Sequence, residues 1–338
     1  MDKPELSANQ QLQHFLKSLE HNIAMARNRD ELNALLQKIE SFGRPLKYDN
    51  SNYWYSLLAA VIVAGISLLY LYNFPDTLVA LWSLALSGIT TLVFGVLIFM
   101  RRSKISALSD ALYLRDVYLD NNWQHEAFHG KRLAAQLAQQ FNEFKRGNHL
   151  REIQWLVKGH YQGLEHQFEY HAYTFHYVDR RTVSTTDAKG RHRTRTVYDH
   201  HYRYGLYLPF EFVSGITISS SWFGSFFGST YKPASTEFNR RFKVNAHSEM
   251  AAAKFLKPAV VVELEDLGKE LTGLNLEFSS LGQLCMSFTP NICKWQRQHG
   301  LDEPSAFIHE IKQNQKIPLL QQTLQRIHTL MRHSDNNF

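Results

Sequence analysis

Five of the 17 histidines in this 338-residue chain crowd into two aromatic stretches, HQFEYHAYTFHYV (166–178) and TVYDHHYRYGLYLPF (196–210). Imidazoles ligate metals and move protons near neutral pH, so His166, His171, His176, His200 and His201 are the first candidates for chemistry. His166 and His176 are an even number of residues apart and share a strand face. If the two stretches pair so that His176 lies beside Asp199 or His200, these three could hold a metal. Their spacing matches no metal motif, and half-exposed strand residues hydrogen-bonded to neighbours are the plainer expectation. No cofactor is expected.

Between those stretches lies a basic segment. Arg180, Arg181, Lys189, Arg191, Arg193 and Arg195 face only Asp187 within 180–195, a local excess of +5 against +6 for the whole chain. A solvated loop is the plain reading. Contact with anionic lipid headgroups or an acidic protein partner is the functional one, since each basic residue near an anionic leaflet is worth about 1 kcal/mol. A second distinctive run, SSSWFGSFFGS (219–229), sets Trp222, Phe223, Phe226 and Phe227 among Gly and Ser. Such a loop could insert into a partner or the membrane interface, or fold back to close a sheet. The chain contains no Gly-x4-Gly-Lys-Ser/Thr phosphate loop, no His-Glu-x-x-His and no Gly-x-Ser-x-Gly elbow. The expectation is a non-catalytic binding or scaffold module; the competing class is an enzyme at the membrane surface built on the His-rich strands.

The elements that must position these residues begin with two apolar runs. Asn50–Pro75 and Thr77–Met100 carry no charge, and only Asp76 separates them. Each exceeds the roughly 20 residues that span a 30 Å bilayer core as helix. Two spans, about 53–73 and 77–100, are expected to form an antiparallel transmembrane hairpin, stopped and restarted at Pro75 and Asp76. Arg44 and Lys47 before it, with Arg101, Arg102 and Lys104 after it, place both termini in the cytoplasm. No ionisable residue lies within the spans, which argues against a channel or transporter. Ser83, Ser87, Thr91 and Gly95 make one small-residue face and Ala60 and Ala64 another, suited to close packing of the hairpin or to pairing with another subunit.

The remaining organisation is an amphipathic helical arm (1–48), the hairpin (49–101) and a cytoplasmic domain (102–338). Leu12, Phe15, Leu16, Leu19 and Ile23 form one helical stripe; Leu32, Leu35, Leu36 and Ile39 form a second, with Asp30 as a candidate cap between them. The polar N-terminal residues Met1–Gln13 do not read as a cleaved signal peptide. Helix is expected after Lys104, broken near Gly130 and running to about Lys145. The two His-rich stretches read as long strands joined by a loop from Asp179 to Arg195. Further strands are expected at 216–219, 241–246, 274–280 and 283–290, then helices divided at Pro258 and Pro318. The fold class is therefore α+β, a mostly antiparallel sheet flanked by helices. The charge excess is too thin for a nucleic-acid binder. Cys285 and Cys293 fit no zinc or redox spacing and read as reduced thiols.

FNEFKRGNHL, VKGHYQGLEHQFEYHAY and TEFNRRFKVNAHSEMAAAKFLKPAVVVELEDL follow the two apolar runs in order. That order resembles the bacterial membrane-protein family DUF3137 across roughly residues 100–290. The most specific piece is Phe238-Asn239, then Phe242-x-Val244, then Ala251, Ala252, Leu256 and Pro258. The resemblance implies a bacterial inner-membrane location and no particular activity.

Overall fold

The computed structural model describes residues 7–186, 192–220, 228–313 and 316–335. In chain order the elements are α1 (Ala8–Met25), α2 (Arg29–Ser41), α3 (Ser51–Asn73), α4 (Leu78–Asp120), α5 (Gly130–Gln140), β1 (Leu150–Gln162), β2 (Gln167–Thr186), β3 (His192–Pro209), β4 (Ile216–Ser219), β5 (Ser229–Tyr231), α6 (Thr236–Arg241), β6 (Lys243–Ala246), α7 (Glu249–Phe255), α8 (Pro258–Glu270), β7 (Asn275–Phe278), β8 (Gln283–Phe288), α9 (Pro304–Lys312) and α10 (Pro318–Ser334). The class is α+β. The described residues form two compact units, 7–120 with 295–313 and 121–294 with 316–335. Residues 295–313 group with the helical part, and the second unit begins after Asp120.

In the helical unit, Leu12, Leu16, Leu19 and Ile23 of α1 and Leu32, Leu35, Leu36 and Ile39 of α2 are buried. The arm therefore packs on protein: α1 against α2 and α4, α2 against α9. Asn28, not Asp30, caps α2, accepting from the Glu31 backbone N–H at 2.8 Å. Arg29 reaches both Asp116 and Asp120 of α4.

The 43-residue α4 is about 65 Å long at 1.5 Å per residue, twice a bilayer core. Its environment changes along its length. Up to Met100 only Ala80 and Ser87 are buried; from Ile105 a buried stripe recurs through Leu108, Leu112, Tyr113 and Val117. The most apolar 18-residue stretches of α4 and α3 have mean hydropathy of 2.1 and 2.0, and both helices turn large side chains outward, Leu69, Ile89 and Leu92 among them. Both are long and apolar enough to cross a membrane and point to membrane association. They run antiparallel. Ser67 and Ser83 hydroxyls meet at 2.6 Å, while Arg101 donates to Asn50 Oδ1 at 2.8 Å and Tyr53 Oη at 3.0 Å. Ala60, Ser67, Ala80 and Ser87 are the buried small residues between them, so part of the expected small face is used. Gly95 has open space where a Cβ would go.

The second unit is built on one antiparallel sheet in the order β1-β2-β3-β8-β7-β4-β6-β5. Phe141, Phe144, Ile153, Tyr173, Phe175 and Cys285 form a core cluster under α5. Pro258 does divide the predicted helix into α7 and α8, and Pro318 opens α10, because proline suits a first helical turn. The largest departure from the sequence reading is the hairpin. The segment expected to be a loop from Asp179 to Arg195 is mostly ladder, paired from Asp179↔Asp199 to Thr186↔His192. The Thr and Val residues there favour strand despite the charges.

Candidate functional site

The described residues carry two features on β1, β2 and β3 with chemical potential: a histidine string and a basic ribbon. His176 of β2 lies opposite Tyr202 of β3, and His200 lies opposite Val178. Residues 200 and 202 share a face, so both rings reach His176: Tyr202 stacks on it at 4.8 Å and His200 at 5.2 Å. From β1, Glu152 Oε1 lies 3.1 Å from His176 Nδ1, and Gln154 Nε2 lies 3.2 Å from the same nitrogen. His176 Nε2 lies 3.0 Å from His200 Nδ1. A tautomer with Nδ1–H on His176 and on His200 satisfies the whole string, Glu152–His176–His200. His176 is buried and His200 exposed, so the string runs from a buried ring to solvent. Hydrogen bonds from Gln154 and then His176 hold the Glu152 carboxyl below its ordinary range.

Of the proposed metal trio, the fold brings His176 and His200 together but not Asp199. One residue along the strand, Asp199 points to the other face, where it binds Arg181 Nε at 2.5 Å. Arg181 also holds its carboxyl below the usual carboxylate range. Both ring nitrogens of His176 are already engaged, and no group of three His, Cys, Asp or Glu among the described residues could hold a metal. The other candidates are scattered: His171 stacks on Tyr207, His166 lies near Asp335, and His201 near Asp179.

Past Val178, where β1 ends, β2 and β3 continue as a two-stranded ribbon. β8 covers β3 only from Tyr204 onward. Asn148 pairs with the backbone of Arg180 through its side chain, donating to the carbonyl at 3.1 Å and accepting from the N–H at 2.7 Å. Beyond that, no strand among the described residues pairs with either outer edge of the ribbon. Arg180, Arg181 and Arg195 are exposed on it. Arg193 occupies the ladder position across from Thr185. Lys189 and Arg191, like Trp222, Phe223, Phe226 and Phe227, lie outside the described residues.

What sequence reasoning missed is the ionic network at the ribbon's root. Glu143, wholly buried in a 3₁₀ turn after α5, accepts from Arg203 Nε at 2.8 Å, Arg146 Nε at 2.7 Å and Asn275 Nδ2 at 2.9 Å. Arg203 also donates to the Gly273 carbonyl, Ser287 Oγ and Thr289 Oγ1. Burial alone would lift the Glu143 carboxyl; the two guanidinium groups outweigh it and hold it low. Beside it, Glu277 accepts from the backbone N–H groups of Asn142 and Glu143 at 2.6 and 2.7 Å, and burial pushes its carboxyl up to about 7. The available signal was a glutamate between two core phenylalanines in Phe141-Asn142-Glu143-Phe144. Cys285 and Cys293 are free, buried thiols, and Cys285 Sγ lies 3.3 Å from Tyr173 Oη. No protein-family model, curated protein or solved structure matches this chain.

Proposed function

We propose that this chain is a membrane-anchored, non-catalytic binding module. In this reading α3 and α4 form a transmembrane hairpin in a bacterial inner membrane, with both termini cytoplasmic, as the basic flanks and the resemblance to DUF3137 imply. The β2–β3 ribbon is its recognition element. The observation that carries the reading is the ribbon itself: eight register pairs extend beyond β1, with exposed arginines and, past the Asn148 contact at Arg180, no strand among the described residues on either outer edge. Edge N–H and C=O groups accept an added strand, and arginines favour acidic side chains on it, so an extended acidic protein segment is the occupant. A lipid surface would use the charges and leave the edges idle.

The test pans random displayed peptides against the full-length protein in zwitterionic nanodiscs. Enrichment of acidic, strand-forming peptides is expected, and should disappear with Arg180, Arg181 and Arg195 changed to Ser. No acidic enrichment, or the same enrichment on the triple variant, would overturn the ribbon assignment. The Glu152–His176–His200 string favours a second reading, proton transfer at an exposed imidazole.

A further inference from the structure

The helical unit holds a cavity of about 400 Å³ where α3 begins and α4 leaves its apolar stretch. Its walls include Lys47, Tyr48, Trp54, Arg101, Arg102 and Arg297, with Asp302 the single acid. Arg297 is neutralised by Asp110 at 2.6 Å. The partners of Arg101 are uncharged: it donates to Asn50 and Tyr53 and lies over the rings of Tyr48 and Tyr53. Those contacts fix the guanidinium on the wall; the nearby carboxylate of Asp49, which hydrogen bonds from Ser51 and then Arg101 hold low, forms no ion pair with it. Among the described residues neither Lys47 nor Arg102 has a carboxylate within 4.0 Å, and both are exposed. Trp54 is 57% exposed beside them.

We propose that this cavity binds the phosphate of an anionic phospholipid headgroup. The inference rests on the membrane reading of α3 and α4 and adds a ligand to it. Three cations without an ion-pair partner among the described residues converge where the charge-free segments end, which is the depth of lipid phosphates. Guanidinium groups match phosphate oxygens in pairs, and an indole beside them suits the headgroup layer. The apolar faces of α3 and α4 run away from the cavity, so acyl chains have a surface to follow.

The experiment uses the full-length protein purified in neutral detergent. First, sedimentation of lysed cells checks the membrane reading; protein that stays in the supernatant without detergent defeats that reading and this one together. Native mass spectrometry then compares phosphatidylglycerol, phosphatidylcholine with the same acyl chains, glycerol phosphate and inorganic phosphate. Phosphatidylglycerol should be retained at least tenfold over phosphatidylcholine. Lys47→Gln with Arg102→Gln should weaken its retention by about 25-fold, roughly fivefold for each basic residue lost. The charge-conserving pair Lys47→Arg and Arg102→Lys should keep most of it. Should the double Gln variant fail to fold, Arg102→Gln alone must show a several-fold loss. Membrane-embedded protein with equal retention of the two lipids, or unchanged retention in a folded Gln variant, overturns the site while sparing the anchor. Tight binding of glycerol phosphate in place of lipid would reassign the cavity to a soluble phosphate.

Discussion

The α3–α4 hairpin and the β2–β3 ribbon are both antiparallel pairs with little core of their own, and they are exposed in opposite ways. The hairpin turns outward Leu69, Ile89 and Leu92; the ribbon turns outward Arg180, Arg181 and Arg195. The difference follows from where each satisfies its backbone. Helices close their hydrogen bonds internally, so α3 and α4 need nothing from their surroundings but an apolar medium. A two-stranded ribbon leaves half of each strand's backbone groups facing outward, which requires water or another strand. Thus the hairpin suits lipid, and the ribbon suits solvent or a partner chain.

The strongest way to break the comparison is at the ribbon's root. Arg203→Ala leaves Glu143 buried without its main cation, and the expected loss is about 3–5 kcal/mol of unfolding free energy. Urea denaturation of the full-length protein in detergent measures it. A loss below about 1 kcal/mol would mean that Arg146 and Asn275 hold Glu143 unaided.

Next comes a matched pair of charge insertions. Ile89→Arg, on the outward face of α4, should cost about 2.5–3.5 kcal/mol of membrane insertion and move the protein out of the bilayer fraction. Ser184→Arg, exposed on the ribbon and opposite Thr194, should stay within about 0.5 kcal/mol in the urea assay. If Ile89→Arg fractionates and folds like the parent chain, the outward face of α4 at Ile89 does not contact lipid.

The smallest effect sharpens the comparison through pH. The Glu277 carboxyl lies above its ordinary 4.5, at about 7. Its protonated form therefore contributes stability that is full below about pH 4.5 and is lost as pH rises through about 7. On the order of 2 kcal/mol should be lost between pH 5 and pH 8 from this group, since a tenfold change in proton affinity corresponds to about 1.4 kcal/mol. Glu277→Gln keeps the shape without the titration, so its denaturation midpoint should change less over that range. Parallel curves for the two proteins would remove Glu277 from the pH response.

Some of this was written in local composition. Two long charge-free runs, the proline-divided helices at Pro258 and Pro318, and the stripes of α1 and α2 depend on residue type and period alone, and each appears where the pattern placed it. The ribbon misleads because dense charge resembles a loop, whereas pairing across the hairpin lets Thr182, Val183 and Thr196 hold a ladder among arginines. The histidine site was half legible. Adjacency of His176 and His200 needed only the hairpin, but which of Asp199 and His200 joins His176 depended on strand parity.

By itself the sequence determined the elements whose period is self-contained: the apolar helices, their capped and amphipathic neighbours, and the α+β class. Only tertiary structure decided what meets across long separations. Glu143 with Arg203, Glu277 with the Asn142 backbone, and Glu152 with His176 come from different elements. Their pairing depends on strand order and register, and a one-residue slip would send the strand side chains Arg203, Glu277, Glu152 and His176 to the opposite face.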